Sequence, residues 1–309
     1  MLTSFFGSSK PVNVIIVISF MTVAFFMTHF GNFTSDVSWQ QITQTIGLWL
    51  VYLATMLVLN FIAQKNDLTK RNAYRILIFA VFTAALPSAL LDPKILISGL
   101  FVMLALRRII SVRSGIAIER KLFDASFWIA VASLFYFWTI AFYLVLFFGV
   151  LVFAAYNVRY WVIPFLGALS VIILTYCYVL YQGSDQSSVL DYLDGISFDF
   201  AAYNTSQVLV ASSFFLAIFI WSVFNYILGM KNASLKVRPI YALVLVLSIV
   251  TLLIVIITSP KTGAAWYFFI PSLSVIVSTY LENTKGKLFK ELLLWLMIGL
   301  PYAIFYLNG

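Results

Sequence analysis

Few side chains in this sequence can do chemistry, and they cluster in a few places. Four aspartates, Asp185, Asp191, Asp194 and Asp199, fall within residues 182–207, a stretch without a basic residue. Such a set, lacking histidine and glutamate, suits a hard divalent cation such as Mg²⁺ or Ca²⁺, or the arginines of a partner protein. If the middle of the stretch is helical, Asp191 and Asp194 share a face, and Tyr192, Ile196 and Phe200 lie against lipid. The plainer reading is a solvated acidic loop with an interfacial helix. His29 and Asp36 belong to a second polar stretch, THFGNFTSDVSWQQITQTIG. Asp92 and Lys94 flank Pro93, and Lys261 sits in SPKTG. A phosphate-bearing lipid needs fixed positive charge, and Lys94 and Lys261 are where it would dock among these polar stretches. The plain alternative is a lysine snorkelling into the headgroups.

Other chemistries lack their residues. His29 is the only histidine, so no multi-histidine zinc or iron site can form, and neither zinc nor haem is expected. Ser, Cys and His make no hydrolytic triad. No GxxxxGK[ST] and no GxGxxG after a strand is present, so no nucleotide site is expected. Cys177 is the single cysteine, which excludes an intramolecular disulfide. A net charge of +8 raises the question of nucleic acid, but the charges lie in short turns between apolar runs, the pattern of membrane insertion.

The elements that must position these residues are membrane helices. Hydrophobic residues make up 63% of the 309 and charged residues 10%, against about 45–50% and about 25% in soluble domains. A span needs about 20 mainly apolar residues. Eleven candidates follow, 13–30, 46–63, 75–91, 94–106, 125–139, 140–156, 161–181, 207–229, 239–258, 264–281 and 290–307, of which 94–106 and the pair within 125–156 are short. The pair at 125–156 reads as two spans or as one re-entrant hairpin; either returns the chain to the side it left. With the N-terminus inside, 17 of the 19 basic residues fall on the cytoplasmic side, and only Lys94 and Lys261 fall outside. A miscounted span would spoil that asymmetry. The expected fold is therefore an all-α polytopic transmembrane bundle, one integral domain over 1–309, N-terminus in and C-terminus out, with 182–207 as its largest outer loop. Pro87, Pro164, Pro271 and Pro301 fall within or beside spans as tolerable kinks.

The opening MLTSFFGSSKPVN, with KLFDASFWIAVASLFYFWTIAFYLVL and RYWVIPFLGAL further on, resembles an uncharacterised family of multi-pass inner-membrane proteins of Gram-negative bacteria. In layout, the run from Ile95 to Phe137 is similar to the middle of the GT-C glycosyltransferases, which use polyprenyl-phosphate sugars. There a span, a short basic cytoplasmic turn and a hairpin rich in small residues follow one another. That resemblance implies a catalytic acid in the first outer loop, the position of Asp36. The first outer loop here departs from the GT-C pattern in being short and holding one aspartate.

Three readings of function follow. The first is a GT-C-like protein that handles a polyprenyl-phosphate-linked glycan at the outer face, with Asp36 as base and Lys94, Asp92, Lys261 and His29 around the substrate. The second is a non-catalytic membrane subunit or scaffold that docks another membrane or periplasmic protein through the acidic outer loop. The third is a transporter of a lipid-linked substrate; the scarcity of polar relays within the spans weakens it.

Overall fold

A computed structural model of the chain describes residues 2–30, 38–183, 195–235, 237–284 and 286–307. These form an all-α helical bundle without strands among the described residues. In order, the helices are α1 (Leu2–Phe6), α2 (Pro11–Phe30), α3 (Trp39–Lys65), α4 (Tyr74–Ala84), α5 (Pro87–Leu91), α6 (Pro93–Ser111) and α7 (Ile118–Phe135). They continue as α8 (Phe142–Phe153), α9 (Arg159–Gln182), α10 (Ser206–Asn232), α11 (Arg238–Ile257), α12 (Ile270–Asn283) and α13 (Lys287–Tyr306). Seven of the described helices are long and apolar enough to cross a membrane: α2, α3, α6 with its extension to Ser114, α9, α10, α11 and α13.

Two short helices occupy the centre. Every residue of α4 from Tyr74 to Thr83 and of α12 from Ile270 to Leu281 is buried. Burial on every face places both inside the bundle, with the hydroxyls of Thr83, Ser274 and Thr279 turned back onto their own helix carbonyls. The long helices around them bury one stripe each, such as Val17, Met21, Phe25 and His29 on α2, or Ile163, Gly167 and Val171 on α9. Their outward residues, including Phe165, Leu166 and Ile172, stay exposed, as lipid contact requires. The short helices have identifiable stops. Pro87 forces Leu86 out of the helical region, to φ −124° and ψ 72°, and so separates α4 from α5. Gly263, at φ +80°, starts a 3-10 turn over Ala264–Phe268 that leads into α12. Gly99 on α6 lets that turn approach closely, since a Cβ there would lie 2.5 Å from Tyr267 Cε1.

The 125–156 stretch forms two helices, α7 and α8, joined by a 3-10 turn over Phe137–Ala141. The first begins at Ile118, earlier than its apolar run suggests, because Glu119, Arg120, Lys121 and Asp124 fit within its first two turns at the end of the bundle. Pro164 and Pro301 lie inside α9 and α13. The Ser126 hydroxyl donates to the carbonyl of Pro164, tying α7 to α9.

Contacts between helix termini sort the bundle into two ends. At one end the Glu291 carboxylate accepts from the N–H groups of Leu2 (2.6 Å) and Thr3 (3.1 Å), capping α1 from the first turns of α13. Glu282, at the end of α12, accepts from the Lys70 N–H (3.0 Å) and from the Asn72 amide. Arg159 and Glu119 pair at 3.2 Å, bringing the starts of α7 and α9 to the same end. At the opposite end Ser197 N–H donates to Ile257 O (3.2 Å) and Tyr136 bonds Thr258. Residues 2–3 and the end of α13 therefore lie at opposite ends.

Arg75 departs from its sequence reading as a charge at the edge of a span: it is fully buried. Its Nε and Nη2 donate to Asn60 Oδ1 at 2.9 and 2.7 Å, and Nη1 donates to Thr69 Oγ1 at 2.8 Å. The planar fork thus fastens the 66–73 turn and α4 to α3. Replacing Arg75 with Leu should cost about 2–3 kcal/mol through the unpaired Asn60 and Thr69 acceptors, and Arg75→Lys should restore only part of it. Thermal unfolding in detergent measures both; an unchanged midpoint for Arg75→Leu would show that the network does not hold α4.

Candidate functional site

The end that carries Asp92 and Lys94 also carries the turn after α11 and the start of α10, and it is built around a helix terminus. The last carbonyls of α11 are orphans unless something outside the helix reaches them. Here each finds a donor: Ile254 O from Thr258 N (3.0 Å), Val255 O from the Tyr203 hydroxyl (3.4 Å), Ile256 O from Lys261 Nζ (2.6 Å) and Ile257 O from Ser197 N (3.2 Å). Lys261 Nζ also donates to Thr258 O at 3.0 Å and lies 4.5 Å from the centre of the Phe200 ring. Its ammonium meets the negative end of the helix dipole. Burial holds its pKa below the ordinary lysine value, and Asp199 opposes that shift. Lys261 is therefore a buried C-terminal cap, two of whose donors go to carbonyls.

The other sequence candidates divide as follows. Asp199 is placed near Lys261 and spends Oδ1 on the N–H of Ala201 (2.9 Å). Asp92 is the N-cap of α6: its Oδ1 accepts from Lys94 N at 2.9 Å and Ile95 N at 3.4 Å, with Pro93 at the first helical position. The Lys94 side chain is exposed. His29 is buried at the end of α2, stacked on Phe25 at 4.2 Å, with Nδ1 3.0 Å from Phe25 O. Asp36, Asp185, Asp191 and Asp194 lie outside the described residues, and with them the aspartate group suited to a divalent cation. Among the described residues no three His, Cys, Asp or Glu side chains gather as metal ligands.

The cavity at this end is a groove of about 470 Å³ between α2, α5 and α13. Val23, Met27 and Phe305 form apolar walls, Pro87 and Leu91 border the break after α4, and Thr28, Ser88 and Gln207 add polar atoms. Met27 is 54% and Phe305 61% exposed, so the groove opens sideways between helices that face lipid. None of the sequence candidates lines it. It was hidden in the sequence because its walls come from residues 20–28, 84–91 and 301–305; the one local signal was Pro87 interrupting an apolar run.

A family model matches residues 1–307. The chain belongs to the DUF6427 family, a family of unknown function. Searches among curated proteins and among solved structures find no match. Membership agrees with the resemblance to an uncharacterised family and leaves the function to be argued from this member's own geometry.

The cap on α11 makes a sharp expectation. Lys261→Met removes a cation and two hydrogen bonds, one to a buried and one to a part-buried carbonyl, at a cost of about 1.5–3 kcal/mol. It should also release residues 195–203 from the bundle, so that limited chymotrypsin digestion after Phe198 and Phe200 accelerates. Equal digestion of wild type and Lys261→Met would mean that the segment is held by something else.

Proposed function

We propose that the protein is an inner-membrane protein that handles a phosphate-bearing lipid with a long apolar chain, of the polyprenyl-phosphate kind, at its outer face. The observation that carries this reading is the lateral groove between α2, α5 and α13. Its volume falls within the range of ligand sites, and its lining is mainly apolar with a few polar atoms. A scaffold needs only a docking face; a groove open to the bilayer suits a hydrocarbon tail. Lys94, exposed at the start of α6 and three residues beyond Leu91 in sequence, supplies the cation for the phosphate. If the lipid carries a transferable group, the acceptor hydroxyl needs a base. Asp36 is the candidate for that base, eight residues beyond Thr28 of the groove and two before Ser38, which caps α3.

Orientation is part of the proposal. Lys65, Arg107, Arg108, Arg113, Lys121, Arg159, Lys231 and Arg238 belong to the end that holds Glu282 and Glu291, while Lys94 and Lys261 belong to the groove's end. By the positive-inside rule the first end faces the cytoplasm. Reporter fusions after Lys70 and Arg113 should read as cytoplasmic, and a fusion at Gly309 as external. A cytoplasmic reading at Gly309 would overturn this orientation.

The groove is tested by filling it. Native mass spectrometry of the purified protein should find a phosphate-bearing lipid on the wild type and at least about tenfold less on Ala24→Trp, with the thermal midpoint unchanged. Lys94→Ala should reduce retention of phosphate-bearing lipid about fivefold, the worth of one interfacial cation. Asp36→Asn should keep the lipid and lose transfer to an acceptor. Equal lipid on wild type and Ala24→Trp would exclude the groove and favour the scaffold reading, in which the acidic outer loop docks a partner.

A further inference from the structure

The opposite end holds a second cavity, and its chemistry is the reverse of the groove's. The cavity, of about 430 Å³, opens where α3 and α6 terminate. Lys65, Arg107, Arg108, Arg113 and Lys121 line it, together with Ser111 and Ser114. Local structure explains the convergence. After α6, a 3-10 turn over Val112–Ser114 and Gly115 at φ +71° reverse the chain into α7. Lys121, in the first turn of α7, then reaches back, donating to Ser111 O (2.8 Å) and Ser114 Oγ (2.6 Å), and so closes the loop upon itself. The Phe61 ring forms a further wall: Arg107 lies 4.9 Å and Lys65 5.3 Å from its centre.

The charges do not balance. Asp124 neutralises Arg108 across 3.1 Å. Glu119, the nearest other carboxylate in sequence, is taken by Arg159. Among the described residues no carboxylate pairs with Lys65, Arg107 or Lys121. A concave surface lined by one sign of charge focuses the potential and collects counter-ions. Like charges held this close repel unless an anion sits between them. The residue types also narrow the anion: arginine's fork matches phosphate oxygens, and lysine adds a point charge.

From this geometry we infer that the cavity is a phosphate site, and that the phosphate belongs to the headgroup of an anionic membrane lipid. The choice of source rests on the surroundings. The cavity lies at the ends of two long apolar helices, α3 and α6, where headgroups sit. Phe61 is 42% and Ile116 73% exposed, so apolar side chains border the cations. Basic pockets between helices at this depth are suited to anionic headgroups. The site is independent of the groove and involves none of its residues.

The experiment titrates the detergent-purified full-length protein with phosphatidylglycerol or cardiolipin, with phosphatidylcholine, and with inorganic pyrophosphate, reading thermal midpoint and native mass spectra. Expected are binding of the anionic lipids, a raised midpoint, and no response to phosphatidylcholine. Arg107→Gln and Lys65→Gln, both at exposed positions, should each weaken binding about fivefold and together about 25-fold. Lys231→Gln, a cation at the same end outside the cavity, should leave it unchanged. Added salt should weaken binding by screening. Pyrophosphate binding that depends on Arg107 and Lys65, with no response to anionic lipid, would keep the phosphate site and overturn the lipid source. Anionic-lipid binding unaltered in the double variant, or no anion binding in any arm, would overturn the site itself.

Discussion

In hydrocarbon no water is at hand to satisfy a bare N–H or C=O, and each one left unpaired costs several kcal/mol. The described architecture depends on how that constraint is met where helices stop inside or near the bilayer. The last carbonyls of α11 are closed by Thr258, Tyr203, Lys261 and Ser197. The first N–H groups of α1 are closed by Glu291, and the turn before α4 by Glu282 and Asn72. Thr258, Lys261 and Asn72 close their ends locally, whereas Tyr203, Ser197, Glu291 and Glu282 reach across the sequence, so at those four points helix ends and bundle packing are fixed by the same contacts.

The helical class and the run of apolar segments were legible because composition and the length of each apolar run survive without tertiary information. The N-cap role of Asp92 was also visible in principle, since Asp-Pro ahead of an apolar run is a helix-start signal; the expectation for it was instead a place beside Lys94 around the substrate. Arg75 and Lys261 were not legible. Each stands at the edge of an apolar run, where a solvated charge is the ordinary case, and their burial depends on partners such as Asn60 and Tyr203 that sequence does not place. The groove was invisible for the same reason, as α2, α5 and α13 meet only in the fold. Of the candidate residues, Lys94 keeps the exposed position that its sequence suggested, whereas Asp36 lies outside the described residues.

The two cavities divide the chemistry of the molecule by depth and sign. The groove offers apolar walls with a few polar atoms. The cavity between α3 and α6 offers guanidinium and ammonium groups with an aromatic flank. That contrast comes from a chain with only 10% charged residues.

The burial of α4 has a consequence for the order in which the protein is built. Synthesis delivers α4 early, but α12 and α13, which cover it, come near the end of the sequence. Until they are made, the faces of α4 destined for them must rest against lipid or an insertion factor. Glu282, which secures the turn ahead of α4, is likewise absent. A ribosome stalled before residue 264 would therefore leave a bundle with an open centre, a feature that membrane quality control can recognise.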